Sequence, residues 1–292
     1  MTVRLLICAL LLLVGRADAD EPVRLRLFGQ GPAYAPQEAD EPEADLPRVR
    51  LEGTLQATAL VSSKVKHGPE RQVHGFEPHK DGHLPIRLEA GWFAQVDVVM
   101  WSWASLGAVA WSTHAAGPKR RIHYEGIQLN GRSFAGGDRL KTTIAIRYAE
   151  VSLRYLWRRD ADVQLWFGIG PAWISYRIAL RGDRVRATSR METVLGPSFT
   201  YALAARVKDW LSLFLESGFA VAPSHRFPSV VAGTRLGVRL HLGAGVELVL
   251  ALNNRVGVLS ESTQLGNVAR GHNWRKARFF VLGLELGLGF SL

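Results

Sequence analysis

The sequence predicts an all-β chain that closes into an antiparallel, up-and-down barrel able to cross a membrane. Three observations carry the prediction. In the last stretch Phe280, Leu282, Leu284, Leu286, Leu288, Phe290 and Leu292 occupy every second position, which puts them on one face of a strand. Ten strand-like segments are joined by alternating long and short connections, the pattern of a barrel with outer loops and periplasmic turns. No stretch reaches the roughly 18 consecutive apolar residues of a transmembrane helix, although 47% of the chain is hydrophobic.

In chain order, Arg4 precedes an apolar run from Leu5 to Val14, and Ala17-Asp18-Ala19 follows it. This is the pattern of a signal peptide over residues 1–19, and the expected destination is the bacterial outer membrane after export. Cys8, the only cysteine, lies within the apolar run, so no disulfide or cysteine metal site is expected in the mature chain. Residues 20–49 hold five prolines and seven acids. That composition predicts an extended periplasmic leader.

The barrel is predicted over residues 50–292, with strands near 50–62, 87–99, 103–113, 142–157, 161–180, 191–207, 210–221, 231–243, 245–259 and 279–292. Alternation assigns the faces. Leu236, Val238, Leu240 and Leu242 oppose Arg235, Arg239 and His241, while Leu211, Leu213, Leu215 and Phe219 oppose Ser212 and Glu216. In the first strand Leu51, Leu55, Ala57 and Val61 oppose Glu52, Thr54, Gln56 and Thr58. The third strand is almost equally apolar on both faces, which leaves an eight-stranded barrel as the alternative. Trp101, Trp103, Trp157, Trp210 and Phe290 fall beside the short turns or the C-terminus, and Trp111, Trp173, Tyr176 and Phe219 fall near the opposite ends. Two interfacial aromatic girdles are expected.

The segments Phe167-Gly168-Ile169-Gly170-Pro171-Ala172-Trp173 and Leu195-Gly196-Pro197-Ser198-Phe199 resemble the glycine-proline strand segments of small OmpA-like and OmpW-like bacterial outer-membrane barrels. The C-terminal Glu285, Gly287, Phe290 and Leu292 are similar to the signal read by the barrel-assembly machinery in that group, with Leu292 in place of the usual aromatic. The resemblance implies insertion by that machinery and is nearly silent on activity.

The chain carries 36 basic and 26 acidic residues, a net charge of +10. The five long connections, 63–85, 114–141, 181–190, 222–230 and 260–278, hold 19 basic and 7 acidic residues. Lys119, Arg120 and Arg121, then Arg181, Arg184 and Arg186, then Arg275, Lys276 and Arg278 are the candidate anion-binding groups. Arginine's planar fork suits lipopolysaccharide phosphates. Basic surface alone also supplies nonspecific nucleic-acid affinity, but no recognised module accompanies it, so no specific nucleic-acid partner is expected.

Glu89, Asp97, Glu150, Arg154, Asp162, Glu192, Arg206, Glu216, Arg235, Arg239, Glu247 and Glu285 are read as inward. Buried charges must be paired, so Arg235 and Arg239 are expected to neutralise Glu216 and Glu247 in a closed lumen. A narrow channel for small solutes is the alternative. His67, His74, His79 and His83 do not have metal-ligand spacing, and no metal or cofactor is expected. Ser112, His114 and Glu125 offer a lipid-hydrolase reading without a nucleophile elbow or an oxyanion donor. The chain is thus expected to be a monomeric, non-enzymatic barrel in contact with outer-membrane lipid and lipopolysaccharide, with a surface or envelope-structural role.

Overall fold

The computed structural model describes residues 49–69, 74–81, 84–101, 103–121, 127–129, 132–159, 162–222, 228–263 and 273–292. The signal peptide, the leader to residue 48, His83 and Glu125 lie outside them.

Ten long strands build the fold: β1 Val49–Pro69, β2 Leu88–Trp101, β3 Ala104–Ala116, β4 Arg139–Arg159, β5 Val163–Arg181, β6 Arg186–Lys208, β7 Leu211–Ala222, β8 Ser229–Gly243, β9 Val246–Thr263 and β10 Asn273–Ser291. Each pairs antiparallel with its sequence neighbours, and β10 returns to β1 in a register running from Arg50↔Ser291 to Pro69↔Asn273. Closure leaves the barrel sheet itself no open edge among its ten long strands. The short turn after β8 is built by positive φ at Gly243 (93°), Ala244 (50°) and Gly245 (75°), the left-handed conformations that tight hairpins demand.

The strands run well beyond their predicted outer ends. Residues 63–69, 139–141, 186–190 and 275–278, expected in loops, are ladder residues. Short strands His74–Phe76, Arg120–Arg121, Ile127–Leu129 and Arg132–Phe134 lie within the long connections.

Polarity inverts along these long strands. Toward the turn end, apolar side chains point out and polar ones in: Leu282, Leu284, Leu286 and Leu288 are 43–55% exposed while Glu285 is 3% exposed. At a tilt of about 45°, Leu282 to Phe290 span roughly 20 Å normal to the membrane. Toward the loop end the faces exchange roles. Phe279 and Val281 of β10, Ile174, Tyr176 and Ile178 of β5, and Ile144 and Ile146 of β4 are buried inside. Lys141, Arg147, Arg177, Arg181, Arg186, Arg190 and Arg278 stand exposed outside. Bulges at Leu60/Ser62 and Leu195/Ser198 shift the alternation of β1 and β6 where the inversion occurs. The loop-end half therefore has an ordinary hydrophobic core, which also takes in Phe76, Leu84, Leu129 and Phe134 from the connections.

Three expected orientations are corrected by this inversion. Trp111 and Tyr176, placed in the outer girdle, point inward and are 5% and 1% exposed. Glu192, read as inward, is exposed on the outside and paired with Arg190. Arg206 keeps the inward register expected of it, opposite Ser212, and is solvent-exposed at the turn-end mouth of the lumen, its backbone N–H donating to Asp162. The turn-end girdle is present: Trp101, Trp103, Trp157 and Trp210 are all more than half exposed, with Trp101 and Trp103 stacked at 5.5 Å.

Candidate functional site

Below the apolar core, inward side chains from β1, β7, β8, β9 and β10 form a charge layer across the lumen. The alternation that faces leucines to lipid sends Glu52, Glu216, Arg235, Arg239, Glu247, Arg255 and Glu285 to the same interior. Arg235 is its centre. Its Nε donates to Glu285 Oε2 at 2.7 Å, its Nη1 to Glu216 Oε2 at 3.1 Å, and its Nη2 to Glu52. The guanidinium lies over Phe93 at 4.2 Å and Phe214 at 4.9 Å. Arg239 reaches Glu216 at 2.9 Å and Glu52 at 3.5 Å, with its Nε 3.9 Å from Glu247. Arg50 bridges Glu52 at 3.2 Å and Glu247 at 3.0 Å. Arg255 stacks 4.2 Å over Trp111 and reaches Glu285 at 3.5 Å.

The neutral groups complete the layer. Glu285 accepts from Thr54 at 3.2 Å, Gln56 at 2.9 Å and Asn253 at 2.6 Å. Four guanidiniums thus meet four carboxylates, and removal from water is compensated by pairing and hydrogen bonding together. The structure brings the predicted Glu216, Arg235, Arg239 and Glu247 into one network. It adds Arg50, Glu52, Arg255 and Glu285, which the predicted network omitted. Glu52 and Glu285 were legible as inward from alternation, but Arg235, the cation that joins them, stands on β8, and strand adjacency gives no signal for that contact.

Two cavities flank the layer. One of about 220 Å³ lies toward the turn end, lined by Arg50, Asp97, Arg154, Ser212, His241 and Glu247 among others. The other, about 120 Å³, is lined by Gln95, Trp111, Tyr148, Glu150, Trp166 and neighbours. Arg154, paired with Asp97 at 2.5 Å, borders both.

Outside, the cations form two faces. On β4–β6, Lys141 stands opposite Arg181, and Arg181 opposite Arg186; Arg177 stands opposite Arg190. Arg120 and Arg121 are in register with Leu140 and Arg139 of β4, and Arg139 is exposed on this same face. Lys119 is ion-paired to Asp183, whose other oxygen accepts from the Arg139 backbone N–H at 3.0 Å. Those contacts hold the Asp183 carboxyl below its ordinary value of 3.8, first through Lys119 and then through Arg139. Arg184 is exposed in the turn between β5 and β6. The second face follows the β1–β10 seam, where Lys64 opposes Arg278 and Lys66 opposes Lys276, while Arg275 falls on the register position of inward Ala277 and Phe279. Lys64 and Lys80 both bind Glu77 there, and hold its carboxyl below the ordinary 4.5.

Ser112 and His114 fall on successive outward positions of β3, opposite Arg147 and Ala145 of β4. Among the described residues no cluster of three or more metal-ligating side chains occurs.

No family model and no curated protein sequence matches the chain. Solved structures do. The outer membrane protease OmpT from Escherichia coli aligns at a TM-score of 0.55 and 7% identity, covering 86% of this chain and 100% of that one. The translocator domain of the autotransporter NalP from Neisseria meningitidis aligns at 0.41 and 10% identity, over 85% and 90%. At these identities the likeness is one of fold. The chain is a closed ten-stranded barrel of the bacterial outer-membrane kind.

Proposed function

We propose that this chain resides in the bacterial outer membrane as a non-conducting barrel whose outer cationic faces hold the phosphates of lipopolysaccharide. The single observation that carries the reading is the cross-strand row Lys141–Arg181–Arg186, with Arg177–Arg190 in the same sheet. Like charges directly opposite each other on a sheet destabilise it, and a polyanion seated on the row removes that cost. The row lies on the outer face just beyond the apolar belt, at the level where lipid phosphates would sit. Arginine can grip phosphate oxygens in pairs. The absence of a conducting path in this reading is supported by the charge layer and by the apolar core above it.

The test is binding of refolded barrel to vesicles of hexa-acylated lipopolysaccharide and of its enzymatically dephosphorylated form. Binding is expected to favour the phosphorylated form, to weaken with salt, and to fall at least tenfold when Lys141, Arg177, Arg181 and Arg190 are replaced together by Gln. Equal binding to both vesicles would overturn the reading.

A further inference from the structure

Three side chains lining the 220 Å³ cavity converge at the turn end of the lumen. Ser212 Oγ lies 2.7 Å from His241 Nε2, and His241 Nδ1 lies 3.2 Å from Glu247 Oε1. The ladder makes this geometry. His241 stands directly opposite Glu247, while Ser212 stands opposite Arg239, one inward position farther from the turn. The imidazole therefore reaches Ser212 diagonally on one side and Glu247 squarely on the other.

The second oxygen of Glu247 is held by Arg50 at 3.0 Å, which fixes the carboxylate with Oε1 toward the ring. A carboxylate accepts from Nδ1–H, so the Nε2 lone pair faces the serine hydroxyl, the tautomer a general base needs. Arg239, opposite Ser212 on β8, keeps its guanidinium on Glu216 and Glu52 and over the Phe214 ring.

We propose that Ser212, His241 and Glu247 form a serine hydrolase centre for small carboxylic esters that enter the lumen from its turn end. Ser212 Oγ attacks the ester carbonyl carbon while its proton passes to His241 Nε2. A tetrahedral oxyanion forms. The carbonyl–alkoxy C–O bond then breaks, and the departing alkoxide takes the proton from His241, leaving an acyl ester on Ser212. Water attacks that ester with His241 as base, and the acid and free serine are released. Ser212 and His241 are the catalytic residues; Glu247 positions the ring. A water takes up about 30 Å³ of liquid, so a cavity of about 220 Å³ holds on the order of seven waters, which admits a short-chain ester and excludes a phospholipid.

The test uses full-chain barrel refolded in detergent micelles, with a fluorophosphonate probe and p-nitrophenyl acetate. The expected result is one label per barrel, mapped to Ser212 by peptide mass, and ester hydrolysis with an initial burst. Ser212→Ala should lose both, and His241→Ala should lower kcat at least 100-fold with partial rescue by added imidazole. Glu247→Gln should lower kcat while leaving KM near the parent value. Heat-modifiable gel mobility reports that each variant is folded. Should Ser212→Ala not fold, the labelled peptide of the parent and the imidazole rescue decide. A folded parent barrel without label on Ser212, hydrolysis that survives Ser212→Ala, or failed imidazole rescue in folded His241→Ala would overturn the proposal.

Discussion

Replacing Arg235 by Met tests whether the charge layer holds the barrel together. Arg235 is 5% exposed and contacts Glu52, Glu216 and Glu285. Breaking a buried pair by removing one partner costs about 3–5 kcal/mol, because it leaves an uncompensated charge. Here each carboxylate keeps another guanidinium: Glu52 keeps Arg50, Glu216 keeps Arg239 and Glu285 keeps Arg255. That places the cost near the lower end, about 3 kcal/mol, or roughly two decades in the folding equilibrium. With a urea slope of about 1–3 kcal/mol per molar, the unfolding midpoint should fall by on the order of 1 M or more. The layer would also pass from balanced charge to one excess carboxylate. Adding Glu216→Gln removes that excess, so the double variant should regain at least about 1 kcal/mol over Arg235→Met alone. Reversible unfolding in micelles, followed by gel mobility and tryptophan fluorescence, measures all three. A single variant within about 0.5 kcal/mol of the parent, or a double variant less stable than the single one, would refute the reasoning.

Three further outcomes follow from other parts of the barrel. Leu284→Arg puts a charge on the lipid face, where Leu284 is 53% exposed; a loss of about 2–4 kcal/mol is expected in vesicles, measured by the same unfolding equilibrium. Tyr176→Phe removes the hydroxyl 2.7 Å from Ser63 in the apolar core, and should cost about 1–3 kcal/mol by leaving the serine buried without a partner. Glu77 and Asp183 have lowered carboxyl values in the folded protein. Their contribution is therefore complete above the ordinary 4.5 and 3.8 and is lost as pH falls through the lowered values. The Arg139 amide, which donates to Asp183, should stay protected from hydrogen exchange at pH 5 and lose protection only below the ordinary 3.8; loss already at pH 5 would contradict the pairing.

Alternation made the lipid face legible because one face of each strand meets hydrocarbon. Ten strands, their order and the closing pair of residues 50–62 with 279–292 were accordingly readable from the chain. The strand ends were not. In β10 the expected strand stops at Phe279, beside the first charge on the apolar face, Arg278, yet the ladder continues to Asn273. The sequence boundary there is the edge of the hydrocarbon layer, where outward residues turn from leucine to lysine and arginine while the backbone remains in the sheet. In β1 and β6 a bulge shifts the period at the same level, so a period-two reading breaks off just where the polarity changes. Ser212, His241 and Glu216 were individually legible as inward, since each alternates with leucines. Their convergence on Glu247 and Arg235 depends on register between strands, which no single strand's pattern contains.

The inversion also explains why the lumen is filled by two different materials among the described residues. Within the hydrocarbon span the outer face must be apolar, and the inner face, freed from that demand, carries charges that neutralise one another around Arg235. Beyond the span the outer face meets water and phosphate-bearing headgroups, so polar side chains move outward and Ile144, Ile174, Tyr176 and Phe279 can fill the interior. A conducting barrel would need the polar interior to continue past that level. Here the Arg–Glu layer ends beneath Trp111, on whose ring Arg255 rests at 4.2 Å, and Trp111 itself belongs to the apolar core above. Opening a path through the barrel would therefore require breaking a paired ionic layer and an aliphatic core at once, whereas the cavity beside Ser212 and His241 lies on the turn side of both.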